Sequence, residues 1–168
     1  KLLYHKDGKT STVSVFSGLD NTMNIRTNGK VDALIGMDPG GESTEDEPTM
    51  VLLAAIPMAL DPAARTVANI GLGSGLTTDI LLKNGSLNGV DTVEIEPAMV
   101  EGAKIFRPRI ESVFTDPRSK IHIDDAKTFF SMRNKKYDLI ISEPSNPWVS
   151  GVAGLFSEEF SSCFTLGR

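Results

Sequence analysis

Cysteine is nearly absent from this chain of 168 residues: Cys163 stands alone, so no internal disulfide can form and no paired-cysteine metal motif exists. Long apolar runs are missing as well. The longest, residues 51–60, is about half a membrane span and contains Pro57. The first residues show no basic start followed by an apolar core, the pattern of a secretory signal, so the cytoplasm is the expected compartment and no membrane partner is expected. Basic residues do not predominate. Lys and Arg number 17 against 22 Asp and Glu, and the net charge of -5 argues against nucleic acid and mildly for cationic partners. Several catalytic signatures are also missing. There is no Gly-Lys-Ser or Gly-Lys-Thr of a Walker loop, no Gly-x-Ser-x-Gly elbow and no His-Glu-x-x-His helix. The two histidines, His5 and His122, form no pattern, so neither a metal nor a triad is expected, and His122 reads as an ordinary strand residue.

What is present is an ordinary globular composition, 40% apolar, in a chain long enough to bury about two-thirds of its unfolded surface. Residues 2–37 are short β-type runs broken by turn chemistry. Asn28-Gly29 between two of them is a hairpin signal, because both residues accept positive φ. The expectation is a small antiparallel segment with an acidic loop, residues 1–47, ahead of a nucleotide-binding domain, residues 48–168. The spacing of Thr44 and Glu47 predicts a capping box for a helix over 48–59. Beyond it the rhythm becomes strand, turn, helix, repeated over strands at 66–70, 90–95, 121–123 and 137–141. Such alternation predicts a parallel sheet with its ligand beyond the carboxyl ends of the strands, where all four turns fall. Asn84-Gly85-Ser86 fits a glycosylation sequon but reads as a helix-ending turn.

Four turns carry candidate chemistry. Gly71, Gly73 and Gly75, with Leu72 and Ser74 between them, form a G-x-G-x-G loop that lets backbone approach a ligand closely; a tight structural turn is the alternative. Glu94 ends the next strand, about 20 residues on, where a carboxylate accepts hydrogen bonds from both ribose hydroxyls. The alternative is a solvated strand-end acid. Asp125 and the backbone N–H of Ala126 suit the amino and ring-nitrogen edge of adenine, while an Asp there also makes a good helix N-cap. The fourth turn, SEPSNPW, holds Glu143, Asn146 and Trp148 between two prolines. A carboxylate beside an indole suits a small cationic amine, against the alternative of a Trp packed on the sheet edge.

In order, VANIGLGSG, TVEIEP, DPRSKIHIDDAKTFF and KYDLIISEPSNPWVSGVAGLF resemble the spermidine/spermine synthase family, most of all its bacterial branch with the SEPSNPW motif. The resemblance implies a Rossmann-like class I methyltransferase sheet, here ending after the fourth strand. It implies decarboxylated S-adenosylmethionine as co-substrate over Gly71, Gly73, Ser74 and Gly75, with Glu94 at the ribose, Asp125 and Ala126 at the adenine, and Ile95 also among the cofactor-binding residues. Glu143 falls where the family has its catalytic aspartate, and Asn146 and Trp148 would face the amine. Aminopropyl transfer to a di- or polyamine such as putrescine is the implied reaction, without a metal. Ser74 and Asn146 stand where the family has aspartates, and Thr49 and Met50 where it has Tyr and Gln, so methyl transfer from S-adenosylmethionine or a non-catalytic nucleoside- or polyamine-binding role are the competing readings. The resemblance and the uncovered fourth strand suggest a homo-oligomer. A chain that opens on Lys1 and stops at Arg168 is further expected to be a piece of a larger sheet.

Overall fold

The computed structural model describes residues 1–132 and 135–142. The first four strands, β1 (Leu2–Asp7), β2 (Thr12–Ser17), β3 (Thr22–Thr27) and β4 (Lys30–Gly36), form an antiparallel meander in that order. The β3–β4 hairpin closes through Asn28 (φ 51°) and Gly29 (φ 84°), the pair of positive angles that a two-residue turn needs to follow strand twist. Val13, Val15, Ile25, Ala33 and Ile35 point to one face and are buried there.

The helix α1 (Glu47–Leu60) follows, and then a parallel sheet of β5 (Thr66–Ile70), β6 (Gly89–Glu94), β7 (Ser119–Ile123) and β8 (Leu139–Ser142). Its order is β7-β6-β5-β8. The chain steps outward from β5 to β7 and returns to the far side of β5, so a topological switch point lies between β5 and β8, as expected for a doubly wound nucleotide fold. The connecting helices are α2 (Leu76–Leu82), α3 (Pro97–Ala103), the short turns α4 (Arg107–Ile110) and α5 (Ser112–Thr115), and α6 (Ala126–Met132). The short turns extend the connection beyond the single helix that the sequence predicts. Asp138 pins β8 beside β5 by accepting from the backbone N–H groups of Arg65 and Thr66, both at 2.8 Å.

The predicted capping box does not form. Asp46 is the N-cap of α1 without a side-chain capping bond. Instead the Asp46 carboxylate accepts from Leu34 N–H, Glu47 from Gly36 N–H, and the Thr44 hydroxyl donates to Leu34 O. All three side chains satisfy the open edge of β4, whose backbone groups would otherwise lack partners. The sequon reading as a turn holds, since Asn84 Oδ1 accepts from both the backbone and the hydroxyl of Ser86.

One apolar cluster crosses from sheet to sheet. Val13, Val15 and Ile25 of the meander share it with Leu72, Leu76, Phe106 and Ile110 of the parallel half. Gly102 on α3 permits the contact, because a Cβ there would lie 3.2 Å from Ile25 and 3.3 Å from Val15. Arg118 ties the far edge: its guanidinium donates to Leu82 O, Asn84 O and Leu87 O at the C-terminal end of α2 while pairing with Asp116. The Asp-Pro-Arg segment is thereby a helix-end clamp.

Candidate nucleotide site

The carboxyl ends of β5, β6 and β7 converge on the glycine loop. Gly71, Gly73 and Gly75 all have positive φ, 93°, 52° and 88°. Gly71 N–H donates to Val93 O, which holds the loop against β6. Gly75 packs inward, 3.1 Å from Ile110 when a Cβ is added, whereas an added Cβ at Gly73 meets nothing within 4 Å. The tight turn and the open approach are therefore divided between different glycines of one loop. Asn69, which the sequence did not single out, supports the loop from below: its amide donates to Gly71 O at 3.0 Å and to Thr78 Oγ1 at 3.2 Å. Ser74 is buried, and its hydroxyl lies 3.5 Å from Met50 Sδ.

Glu94 sits at the base of this loop. Its Oε2 accepts from Leu72 N–H and its Oε1 from Glu96 N–H, both at 2.9 Å. Burial pushes its carboxyl above the ordinary glutamate range, and the backbone N–H groups only partly offset that. The strand-end acid is thus neither solvated nor free to swing. Ile95 and Ile123, next to it at the ends of β6 and β7, are about half exposed. Asp125 caps α6, accepting from Thr128 N–H at 2.9 Å, so its N-cap role is realised, and Ala126 is buried behind it. Glu143, Asn146 and Trp148 lie outside the described residues, immediately after β8.

Two further carboxylates were not legible in the motifs. Glu96 is buried, caps α3 through Ala98 N–H, and accepts from the backbone and hydroxyl of Thr10 and from Ser11 N–H. Burial alone would raise it, yet these donors win and hold it at about 2. A Glu before Pro at a helix start is the local signal for the cap; its partners in the meander leave none. Asp91, buried on β6, accepts from His122 Nε2 at 3.2 Å and also from Lys135 and Tyr137. Among the described residues no group of three or more His, Cys, Asp or Glu could hold a metal ion, and no helix is long and apolar enough to cross a membrane.

Residues 49–165 match the spermine/spermidine synthase domain family. The chain belongs to that family. A polyamine aminopropyltransferase of Alkaliphilus metalliredigens is 34% identical over 146 residues, covering 80% of this chain and 51% of that protein. One from Clostridium perfringens is 32% identical over 114 residues, covering 67% of this chain and 40% of the relative. Among solved structures, a spermidine synthase in complex with the transition-state analogue AdoDATO superposes with a TM-score of 0.84 at 24% identity, over 96% of this chain and 53% of that one. The spermidine synthase of Thermotoga maritima gives 0.80 at 23%, over 96% and 52%. These likenesses establish the family fold, a Rossmann-like class I methyltransferase sheet behind an antiparallel segment. This chain spans about half the length of the relatives it matches.

Proposed function

We propose that this chain carries the nucleoside-binding half of an aminopropyltransferase that uses decarboxylated S-adenosylmethionine and releases methylthioadenosine. The observation that carries the reading is Glu94: a buried carboxylate at the glycine loop, each oxygen already bound to one backbone N–H and retaining a lone pair for a ribose hydroxyl. The open approach above Gly73 leaves room for the sugar and its substituent. Ile95 and Ile123 offer apolar surface for a base, and Asp125 with Ala126 would read its edge.

The chemistry asked of the site is modest. A neutral amine nitrogen attacks the carbon beside the sulfonium, the C–N bond forms as the C–S bond breaks, and the electron pair returns to sulfur as a neutral thioether. The new ammonium gives up a proton, which Glu143, one residue beyond the end of β8, would accept after orienting the amine. Asn146 and Trp148 would complete the amine's surroundings. A small cationic amine such as putrescine is the acceptor that this reading favours.

A second reading draws on Ser74 and Met50. Their buried, uncharged contact supplies no partner for an ammonium tail, which favours methyl transfer from S-adenosylmethionine or nucleoside binding without turnover. Calorimetry with methylthioadenosine, S-adenosylmethionine and its decarboxylated form separates the cases. Aminopropyl transfer requires binding of the first and last, with turnover that Glu143→Gln abolishes while methylthioadenosine affinity stays within about twofold. Unchanged turnover in that variant removes Glu143 from the chemistry, and absence of all binding removes the nucleoside site.

A further inference from the structure

The β1–β2 turn, residues 8–11, does not stand apart from the nucleotide site. Thr10 donates its backbone N–H to Glu96 Oε2 at 2.6 Å and its hydroxyl at 2.8 Å, and Ser11 N–H adds a third bond at 3.2 Å. Gly8 comes so near that a Cβ would sit 2.2 Å from Glu96 Oε1. On its other side Glu96 receives Ala98 N–H and donates its own N–H to Glu94 Oε1. Glu94 Oε2 in turn receives Leu72 N–H from the glycine loop. One unbroken path of hydrogen bonds therefore runs from the meander turn through Glu96 and Glu94 to the loop.

The meander does not need this path in order to dock. Val13, Val15 and Ile25 already seat it on α3 and on Phe106 through apolar contact. A buried carboxylate is a costly way to add a tether, since its desolvation must be offset donor by donor. What Glu96 supplies that an apolar contact cannot is direction. Its side chain is fixed by four hydrogen bonds, so its backbone N–H is fixed, and that N–H sets the rotation of the Glu94 carboxylate.

We propose that Glu96 is a positioning residue for nucleoside recognition, and that the β1–β2 turn is part of the nucleoside site through it. The inference rests on the reading of Glu94 as the ribose partner given under Proposed function. Two hydroxyls demand two acceptor oxygens in one plane at one angle, and a carboxylate held at both oxygens by backbone meets that demand before the ligand arrives. Loosening Glu96 leaves Glu94 ionisable but lets it rotate. The loss then falls on the hydroxyls and spares the base.

The test compares adenosine with dideoxyadenosine, which lacks both ribose hydroxyls, by titration calorimetry on the full chain. The wild type prefers adenosine by about tenfold or more, as hydrogen bonds to a charged group imply. In Glu96→Gln that preference shrinks about tenfold, through adenosine alone, while dideoxyadenosine stays within about twofold. Thr10→Val removes one hydroxyl from the far end of the path and shrinks the preference about threefold; it settles the matter if Glu96→Gln does not fold. Parallel weakening of both ligands, or no change in either, overturns the positioning role. A wild type that binds adenosine and dideoxyadenosine equally instead sinks the ribose reading of Glu94, and this inference with it.

Discussion

Along β3 and β4 burial alternates, with Ile25, Thr27, Ala33 and Ile35 covered and their neighbours partly open, whereas β5 and β6 are buried at every residue after the first. The meander has one face on α3 and the other toward solvent; the parallel strands have helices on both faces. The difference extends to polar groups. The meander meets its unpaired edge with Thr44, Asp46 and Glu47, side chains from the next segment, while the parallel half buries Asp91 within β6 and Glu94 and Glu96 at its end, beside the glycine loop. The two regions nevertheless share one apolar cluster, and Glu96 of the parallel half takes three hydrogen bonds from the meander, so they pack as one core.

The sharpest way to break that claim is Phe106→Ala. Phe106 is fully buried and belongs to the cluster that joins Val13 and Ile25 to Leu72 and Ile110. Truncating it is expected to lower unfolding free energy by about 3–5 kcal/mol. Urea unfolding followed by two probes checks it: a single shifted transition supports one core, and two separated transitions show that the sheets fold independently.

A smaller effect comes from Glu94 and Glu96, two residues apart and shifted in opposite directions. Glu96 is held at about 2 against an ordinary 4.5, so its ionised form stabilises the fold above 4.5 and that contribution is lost as pH falls toward 2. Glu94 is raised, so the folded chain holds its proton longer than the unfolded one, and ionising it as pH rises lowers stability. Urea midpoints measured against pH should rise between pH 2 and 4.5 in the wild type. In Glu96→Gln that limb loses up to about 1.4 kcal/mol per pH unit, the slope of one proton, while the contributions of Asp116 and Asp138 remain. An unchanged limb would mean that Glu96 does not link the turn to the loop in solution.

These regions were unequally legible in the sequence. Asn28-Gly29 announces its hairpin because the turn chemistry is local, and the glycine loop, Glu94 and Asp125 announce the parallel half because each sits at or just past the end of a strand. What resisted reading was set by distance. Thr44 and Glu47 have the spacing of a capping box, but the unpaired backbone of Leu34 and Gly36 makes a stronger claim on them. The turns α4, with Pro108 in its first turn, and α5 are four residues each and carry no helical period long enough to notice. His122 looked like a strand residue, and is one, yet its partner Asp91 is 31 positions away. Glu96 stands before Pro97 where α3 begins, but its bonds to Thr10 cross 86 residues and have no signature in either segment.

The smallest expected effect separates the conformational cost of a glycine from its use. Gly29 and Gly73 both have positive φ, 84° and 52°, and at both an added Cβ meets nothing within 4 Å. Replacing either with Ala therefore carries the same kind of penalty, backbone strain of about 1 kcal/mol without a clash. Gly29 turns the meander at a distance from the strand ends, so Gly29→Ala should lose that stability and bind adenosine as the wild type does. In Gly73→Ala the stability loss is matched, but the methyl group enters the space above the loop and adenosine affinity falls severalfold more than in its counterpart. Thermal unfolding and calorimetry on the two variants give both numbers. Equal adenosine affinities at equal destabilisation would show that the open approach over Gly73 is a property of the turn alone, as bare of ligand as the hairpin at Gly29.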